Sequence, residues 1–147
     1  MIRRLLPMLL LLLTACVSDP DEEWSLQPGE QLPDFAITMA DGTEVTSQSL
    51  KGETTVIFLF NTTCPDCQAE FPRLQAAMEE HPEVRFLGIA RSETDPEIAD
   101  YWAAHALTLP YSPQKDAAVY HLFASSGIPR VFVVSPDLMI TQAYFPE

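Results

Sequence analysis

The stretch that decides the fold is TTVIFLFNTTCPDC, residues 54–67. Its first part, Thr54 to Phe60, is continuously apolar and rich in β-branched and aromatic residues, which is typical of a strand buried on both faces. The residues that follow, Pro65 to about Glu80, predict a helix with a proline accepted in its first turn. The short connection between strand and helix therefore places Cys64 at the helix N-terminus, with Cys67 one turn further along.

The flanking segments extend this unit into an α/β domain over residues 27–147. Further strands are expected over 35–39, 43–46, 84–90, 131–135 and 138–145, and helical segments over 96–106 and 117–124. Asp41-Gly42 joins the first two strands as an N-terminal hairpin. Strands that alternate with helices predict a largely parallel central sheet. The turn at Pro136-Asp137 lets the last strand pair back antiparallel, so the sheet is expected to be mixed.

The N-terminal segment has the pattern of a secretion signal. Arg3 and Arg4 precede an apolar run over residues 5–13, and small residues lead to Cys16. The apolar run falls short of the roughly 20 residues that span a bilayer. Thr14-Ala15-Cys16 resembles the lipobox at which bacterial signal peptidase II cuts after acylation of the cysteine. The resemblance implies a signal peptide over 1–15 and a mature chain that begins at Cys16, held on a membrane by two or three acyl chains.

The chain is acidic, with 21 acidic and 8 basic residues and a net charge of −13. Loss of residues 1–15 would remove Arg3 and Arg4 and no acid, which argues against nucleic acid as a partner. The acidic run 19–23 has no apolar periodicity and predicts a disordered tether over 16–26. It also resembles the surface-export signal of some Gram-negative lipoproteins. We expect the cell envelope of such a bacterium, with the periplasmic side favoured and the outer surface left open.

The cysteine count favours a redox pair. Of three cysteines, lipidation would consume Cys16 and leave Cys64 and Cys67 to each other. The loop between them is too short to stabilise the fold as a long-range bridge would. A zinc site needs four ligands, and no second cysteine pair or histidine pair lies nearby. The three histidines share no spacing, and the five glycines form no phosphate-binding loop. We therefore expect neither a metal nor a cofactor.

The strand, the Cys-Pro-Asp-Cys run, the helix and the later Gly127-Ile128-Pro129 before a strand resemble the thioredoxin superfamily over roughly residues 27–145. The resemblance implies a thioredoxin-like fold. It further implies a cis proline at Pro129 that faces the cysteine pair, and a residue before it, Ile128, whose backbone meets an extended substrate. Without the resemblance, Pro129 is a proline at the start of a strand, where its missing N–H does little harm.

Within the superfamily, CPDCQAEFP at residues 64–72 resembles the TlpA/ResA-like group of membrane-tethered reductases, some of which serve cytochrome c maturation. In that group a glutamate three residues after the second cysteine lies beside the active site. Glu70 has this position, and it shares a helix face with Cys67. The alternative is an exposed helix glutamate. Pro72 should remove the backbone bond to the Gln68 carbonyl and bend the helix.

The chain departs from thioredoxin proper at two positions. Phe58 stands where thioredoxins keep a buried aspartate, and Thr63 replaces the tryptophan before the first cysteine. Glu70 is then the obvious local proton carrier, and Cys64, favoured as a thiolate by the helix N-terminus, is the attacking thiol. The negative charge of Asp66 lies close to Cys64 and argues against a very low pKa for that thiol. Because strong oxidants depend on a very acidic first thiol, we expect a reductant. Its partners would be a disulfide-bearing protein substrate and an upstream dithiol reductant.

Two other functions of the same fold stay open. Peroxiredoxins have a threonine three residues and a proline seven residues before the reactive cysteine, whereas Asn61 and Ile57 occupy those positions. Copper-binding chaperones use two cysteines three residues apart and a distant histidine, whereas the spacing here is two. Both patterns are disfavoured, and a thiol-disulfide oxidoreductase is the predicted enzyme.

The C-terminal part lacks one expected element. A thioredoxin-like fold normally adds a helix after its final hairpin, yet the sequence after the predicted strand 138–145 is only two residues long. The apolar residues of that strand, among them Tyr144 and Phe145, should leave one side of the sheet partly bare. Exposed apolar surface of this kind marks a partner interface, such as a dimer contact, or a shortened chain.

Overall fold

The computed structural model describes residues 23–146, so the predicted signal peptide, Cys16 and most of the predicted tether lie outside the described residues. The strands and α-helices are β1 (Ala36–Thr38), β2 (Glu44–Thr46), β3 (Thr55–Phe60), α1 (Pro65–Glu80), β4 (Arg85–Ala90), α2 (Asp95–Ala104), β5 (Tyr111–Ser112), β6 (Arg130–Val134) and β7 (Ile140–Tyr144). Short 3₁₀ helices occur at Ser47–Leu50 and Tyr120–Leu122. No helix within 23–146 is long and apolar enough to cross a membrane.

The main sheet has five strands in the order β5-β4-β3-β6-β7, and β1 and β2 form a separate antiparallel pair. β3 is central, as the sequence predicts. It runs parallel to β4, which runs parallel to β5, whereas β6 is antiparallel to both β3 and β7. The sheet is thus mixed, and the parallel part is limited to strands joined by α1 and α2. The longer connection before β6 contains only a 3₁₀ turn and returns the chain in the opposite direction.

β3 is buried on both faces, and each face has its own core. Ile57 and Leu59 pack with the N-terminal hairpin and the segment around Tyr120. Phe58 and Phe60 pack on the other face with α1 and α2. The paired strand β4 places Gly88 beside Phe58, and a Cβ at this glycine would lie 2.5 Å from the Phe58 ring. The glycine therefore leaves the space that the aromatic ring fills.

Several element bounds differ from the sequence-based expectations. α2 begins at Asp95 because the Glu97 carboxylate accepts hydrogen bonds from the Thr94 N–H and hydroxyl, at 2.9 and 2.8 Å. α2 ends at Ala104, and Ala106 takes a positive φ of 51°. The helical segment predicted over 117–124 is reduced to one 3₁₀ turn. The two-residue strand β5 was not predicted, because its pairing with β4 leaves no local pattern.

The described end of the predicted tether lies against the domain. The Trp24 N–H donates to the Ser125 hydroxyl at 2.8 Å, and the Leu26 N–H donates to the Phe123 carbonyl at 2.8 Å. These contacts attach residues 24–26 to the segment that leads into β6.

One part of the sheet surface is incompletely covered, on the face that carries Phe58. Val131 and Val133 of β6 are only half-buried there, and Tyr144 of β7, paired with Val131, is 48% exposed. Within residues 23–146 no helix follows β7, as the sequence predicts. The expected bare side of the sheet is therefore present, while dimerisation through it stays a prediction.

Thr55→Val should raise the free energy of unfolding by about 1 kcal/mol, because the Thr55 hydroxyl is fully buried with no hydrogen-bond partner among the described residues. Valine has nearly the same shape and favours strands. Urea denaturation measures the change. Ser112→Ala is the matched control, since that buried hydroxyl donates to the Thr38 carbonyl at 2.6 Å and its removal should destabilise the domain. Destabilisation by both substitutions would contradict the prediction.

Candidate active site

Cys64 is the N-cap residue of α1. Its backbone is extended, with φ −82° and ψ 120°, and the Cys67 N–H points back and donates to the Cys64 sulfur at 3.4 Å. The Cys64 side chain is half-buried and keeps a path to solvent. Unpaired N–H groups and the helix dipole favour negative charge at this position. The structure therefore places the Cys64 sulfur at the positive end of a helix, where a substrate can reach it.

Cys67 is fully buried, and both thiols are free. Burial raises the pKa of the Cys67 thiol well above its usual range, because a thiolate loses its hydration there. The backbone N–H of Asn61 acts in the opposite direction, while the neighbouring Cys64 and Asp66 raise the pKa further. Cys67 is thus held as a neutral thiol until something removes its proton.

The loop before β6 meets the cysteine pair. The Ile128–Pro129 peptide bond is cis, Pro129 is buried, and the Cys64 thiol donates to the Ile128 carbonyl over 3.7 Å. The structure therefore brings together Cys64, Cys67, Ile128 and Pro129 from segments more than sixty residues apart in the sequence.

Side chains that the sequence did not single out hold this loop in place. The buried Tyr120 hydroxyl donates to the Gly127 carbonyl at 2.7 Å, and the Arg130 Nε donates to the Ser126 carbonyl at 2.9 Å. The Arg130 guanidinium also lies 4.2 Å from the centre of the Phe145 ring. Gly127 has a φ of +83°, and a Cβ there would come within 2.8 Å of that ring. Glycine is therefore required at this turn.

Glu70 lies on α1 with its side chain 12% exposed, and its carboxylate is 3.4 Å from the exposed guanidinium of Arg73. The pKa of Cys67 is shifted by Asn61, Cys64 and Asp66, and in the described part of the chain Glu70 is not among these groups. Glu70 thus lies on the predicted helix near the cysteines, in an ion pair that the sequence analysis did not anticipate. α1 continues through Pro72 to its end at Glu80.

The connection from β3 to α1 is fixed by contacts with the chain after β4. The Asn61 side chain accepts hydrogen bonds from the Thr63 N–H at 2.9 Å and hydroxyl at 2.6 Å, and donates to the Arg91 carbonyl at 3.1 Å. Thr62 donates to the buried carboxylate of Glu93.

Sequence reasoning missed Glu93, although a signal was available. β3 and β4 are adjacent parallel strands, so their carboxyl ends meet at one edge of the sheet. An acid placed directly after the second buried strand should therefore have been considered beside Cys64.

Among residues 23–146, no group of three or more histidine, cysteine, aspartate or glutamate side chains is arranged to hold a metal ion.

Comparisons with known proteins agree with this architecture. The model of the AhpC/TSA family matches residues 28–143. The thiol-disulfide oxidoreductase ResA of Bacillus thuringiensis (strain Al Hakam) is 21% identical over 124 residues, which cover 83% of this chain and 72% of ResA.

Solved structures show the same fold. A thiol:disulfide interchange protein of the thioredoxin family from Chlorobium tepidum TLS superposes with a TM-score of 0.68 at 24% identity, covering 82% of this chain and 88% of that one. A thio-disulfide isomerase from Thermus thermophilus gives a TM-score of 0.68 at 26% identity, covering 83% and 88%.

The resemblance to the thioredoxin superfamily and the thioredoxin-like fold are therefore confirmed. The family model covers well over half of the sequence. The chain belongs to the AhpC/TSA family, and its homologues are thiol-disulfide oxidoreductases with a thioredoxin-like fold.

Proposed function

We propose that this protein reduces disulfide bonds in other proteins through the Cys64 and Cys67 dithiol. The observation that carries the proposal is the contrast between the two sulfurs. Cys64 is accessible at a helix N-terminus, whereas Cys67 is buried one turn behind it as a neutral thiol. Such a pair supports attack by the first sulfur and release by the second. The relatives named thiol-disulfide oxidoreductases give independent support.

The reaction begins when the Cys64 thiolate attacks one sulfur of a substrate disulfide. A bond forms between Cys64 and that sulfur, and the other substrate sulfur leaves as a thiolate. Cys67 then loses its proton and attacks the Cys64 sulfur, which expels the second substrate thiolate. The substrate gains two electrons, and the enzyme is left with a Cys64–Cys67 disulfide. An upstream dithiol must reduce that disulfide before the next cycle.

The substrate would lie along the loop before β6. The Ile128 carbonyl is already within reach of the Cys64 sulfur, and Pro129 begins the turn into β6 without a backbone N–H. An extended polypeptide could hydrogen-bond to the backbone of Ile128 while presenting its disulfide to Cys64. This assigns the two residues to substrate binding and keeps the cysteines for chemistry.

The charges around the pair favour a reductant over an oxidant. A strong oxidant needs a stabilised thiolate in its reduced form, which raises the reduction potential. Here Asp66 lies in the first turn of α1 and raises the pKa of Cys67, and burial raises it further. The reduced dithiol therefore gains no stability from ionisation of Cys67, which favours the role of an electron donor.

Glu70 is proposed as the group that exchanges the Cys67 proton, directly or through water. It lies three residues after Cys67 on α1 and is largely buried, so its carboxylate shares the same helix face. Its carboxylate lies 3.4 Å from the Arg73 guanidinium, which fixes its position on the helix.

The proposed location is the bacterial cell envelope, with the chain attached to a membrane through lipid on Cys16. The support is the sequence pattern of residues 1–16, which lie outside the described residues.

Cys64→Ser should abolish reduction of insulin by dithiothreitol in a turbidity assay, because the attacking sulfur is lost. Cys67→Ser should attack once and stall, so that the substrate stays bound as a mixed disulfide visible on non-reducing gels. Cys16→Ser is the control, since it keeps the dithiol and should keep full activity as a soluble protein. Equal residual turnover in both active-site variants would refute the assignment.

The release step should become faster as the pH rises. Below its pKa, the thiolate fraction of Cys67 increases about tenfold per pH unit, and that pKa is raised by burial. A carboxylate that accepts the proton should flatten this dependence near neutral pH. Glu70→Gln should therefore give a slower release and a steeper pH profile in stopped-flow assays between pH 6 and 9. Glu80→Gln on the same helix is the control. An unchanged profile in Glu70→Gln would remove Glu70 from the proposed proton exchange.

Replacement of Cys16 by alanine should move the protein from the membrane fraction to the soluble fraction of a Gram-negative host, because the acylated residue is gone. Metabolic labelling with a palmitate analogue should mark the unchanged chain and not the variant. Cys64→Ser, which keeps Cys16, should stay membrane-bound and labelled. Labelling of the Cys16→Ala chain would count against the lipid anchor.

A further inference from the structure

Glu93 is a buried carboxylate beside the candidate site. It lies in the loop after β4, is 3% exposed, and within residues 23–146 forms no ion pair with a lysine, arginine or histidine. Removal of a charged carboxylate from water without a cation is costly unless hydrogen bonds replace the lost hydration. The hydrogen bonds that Glu93 accepts therefore show which part of the site it stabilises.

Within residues 23–146, all the hydrogen bonds to this carboxylate come from one residue. The Thr62 N–H donates to both carboxylate oxygens, at 3.1 and 3.0 Å, and the Thr62 hydroxyl donates to Oε2 at 2.7 Å. The two residues are 31 positions apart in the sequence. Glu93 thus fixes both the backbone and the side chain of Thr62, which lies two residues before Cys64.

Thr62 connects to each of the two cysteines. Its carbonyl accepts a hydrogen bond from Gln68 Nε2 at 2.7 Å, and Gln68 directly follows Cys67 in α1. The Asn61 carbonyl belongs to the same planar peptide unit as the Thr62 N–H, and it accepts a hydrogen bond from the Cys64 N–H at 3.2 Å. The position of Thr62 therefore constrains the start of α1 on both sides of the cysteine pair.

We propose that Glu93 is a positioning residue for the release step: it locks Thr62, and with it the start of α1, so that Cys67 stays in place to attack the Cys64 sulfur. The proposal rests on the dithiol function proposed above and deepens it. Glu93 acts through Thr62 and Asn61 and touches no reacting atom.

A direct electrostatic effect of Glu93 would have the opposite sign. A negative charge near Cys67 disfavours the thiolate, so its removal would speed the release step. Loss of the hydrogen bonds that fix Thr62 would let the start of α1 move and would place Cys67 less well for attack on the Cys64 sulfur, so the release step would slow down. The sign of the change in Glu93→Gln therefore separates the two effects.

The experiment follows the reaction of the reduced protein with 5,5′-dithiobis(2-nitrobenzoate), a chromogenic disulfide, at fixed pH. Attack by Cys64 releases the first thionitrobenzoate, and attack by Cys67 on the mixed disulfide releases the second. The two rates come from one stopped-flow trace. The variants are Glu93→Gln, Glu93→Ala, Thr62→Val and Thr62→Ser. Glu97→Gln is the matched control, because it removes an exposed carboxylate that also accepts hydrogen bonds from a threonine.

Both Glu93 variants should slow the second release at least fivefold and change the first by less than twofold. Thr62→Val, which loses the hydroxyl, should also slow the second release, whereas Thr62→Ser and Glu97→Gln should match the unchanged protein. A second release in Glu93→Gln that is unchanged, faster, or slowed by the same factor as the first would overturn the proposal.

Two further outcomes are distinguishable. If the Glu93 variants do not fold, the two Thr62 variants test the proposal instead. A slow second release in Thr62→Val but not in Thr62→Ser supports it, and equal rates of second release in both overturn it. If the unchanged protein shows no second release, the dithiol function fails, and the role of Glu93 fails with it. A normal second release in the unchanged protein together with unaffected variants overturns the role of Glu93 alone.

Discussion

The burial of β3 on both faces is the constraint on which the rest of the structure depends. Five of its six residues have no exposed surface, and the four apolar residues among them alternate between two cores. The strand can therefore neither slip nor rotate without placing apolar side chains in water. The strand ends at Phe60, and the chain must leave the sheet at once. The fixed end of β3 therefore places Cys64 near the surface at the start of α1. Cys67 lies inside, against the aromatic side chains that pack between the sheet and the helices α1 and α2.

The two sulfurs accordingly have opposite environments although they lie one helical turn apart. Cys64 receives an N–H from the helix and can be reached from solvent. Cys67 is in the core with Phe60 and Phe71, where burial dominates the pKa of its thiol. A single helix therefore provides both a reactive thiol and a protected one, and the order of attack follows from which of them the fold exposes.

The sequence was sufficient for the parts of the fold that carry a local pattern. The predicted bounds of α1 match the structure, and those of β3 differ by one residue. Both elements have patterns that can be recognised within a few residues: a continuous apolar run for the strand and a proline in the first turn for the helix. The two-residue strand β5 escaped prediction because it exists only through its pairing with β4. Glu93 was missed because its link to Thr62 joins residues 31 apart, which periodicity within an element does not show; the parallel order of β3 and β4 was the one available signal.

The cysteines themselves were predictable, whereas their supports were not. Tyr120 and Arg130 hold the loop that carries Ile128, and Glu93 holds the loop that carries Thr62. Glu93 acts from 31 residues away, whereas Tyr120 and Arg130 lie seven and four residues from the carbonyls they bind, so both loops beside Cys64 are restrained from outside the active-site helix. The release step requires the loss of the Cys67 proton, and burial raises the pKa of that thiol. The groups that hold Cys67 in place and accept its proton are therefore the ones that control the proposed reaction after the first attack.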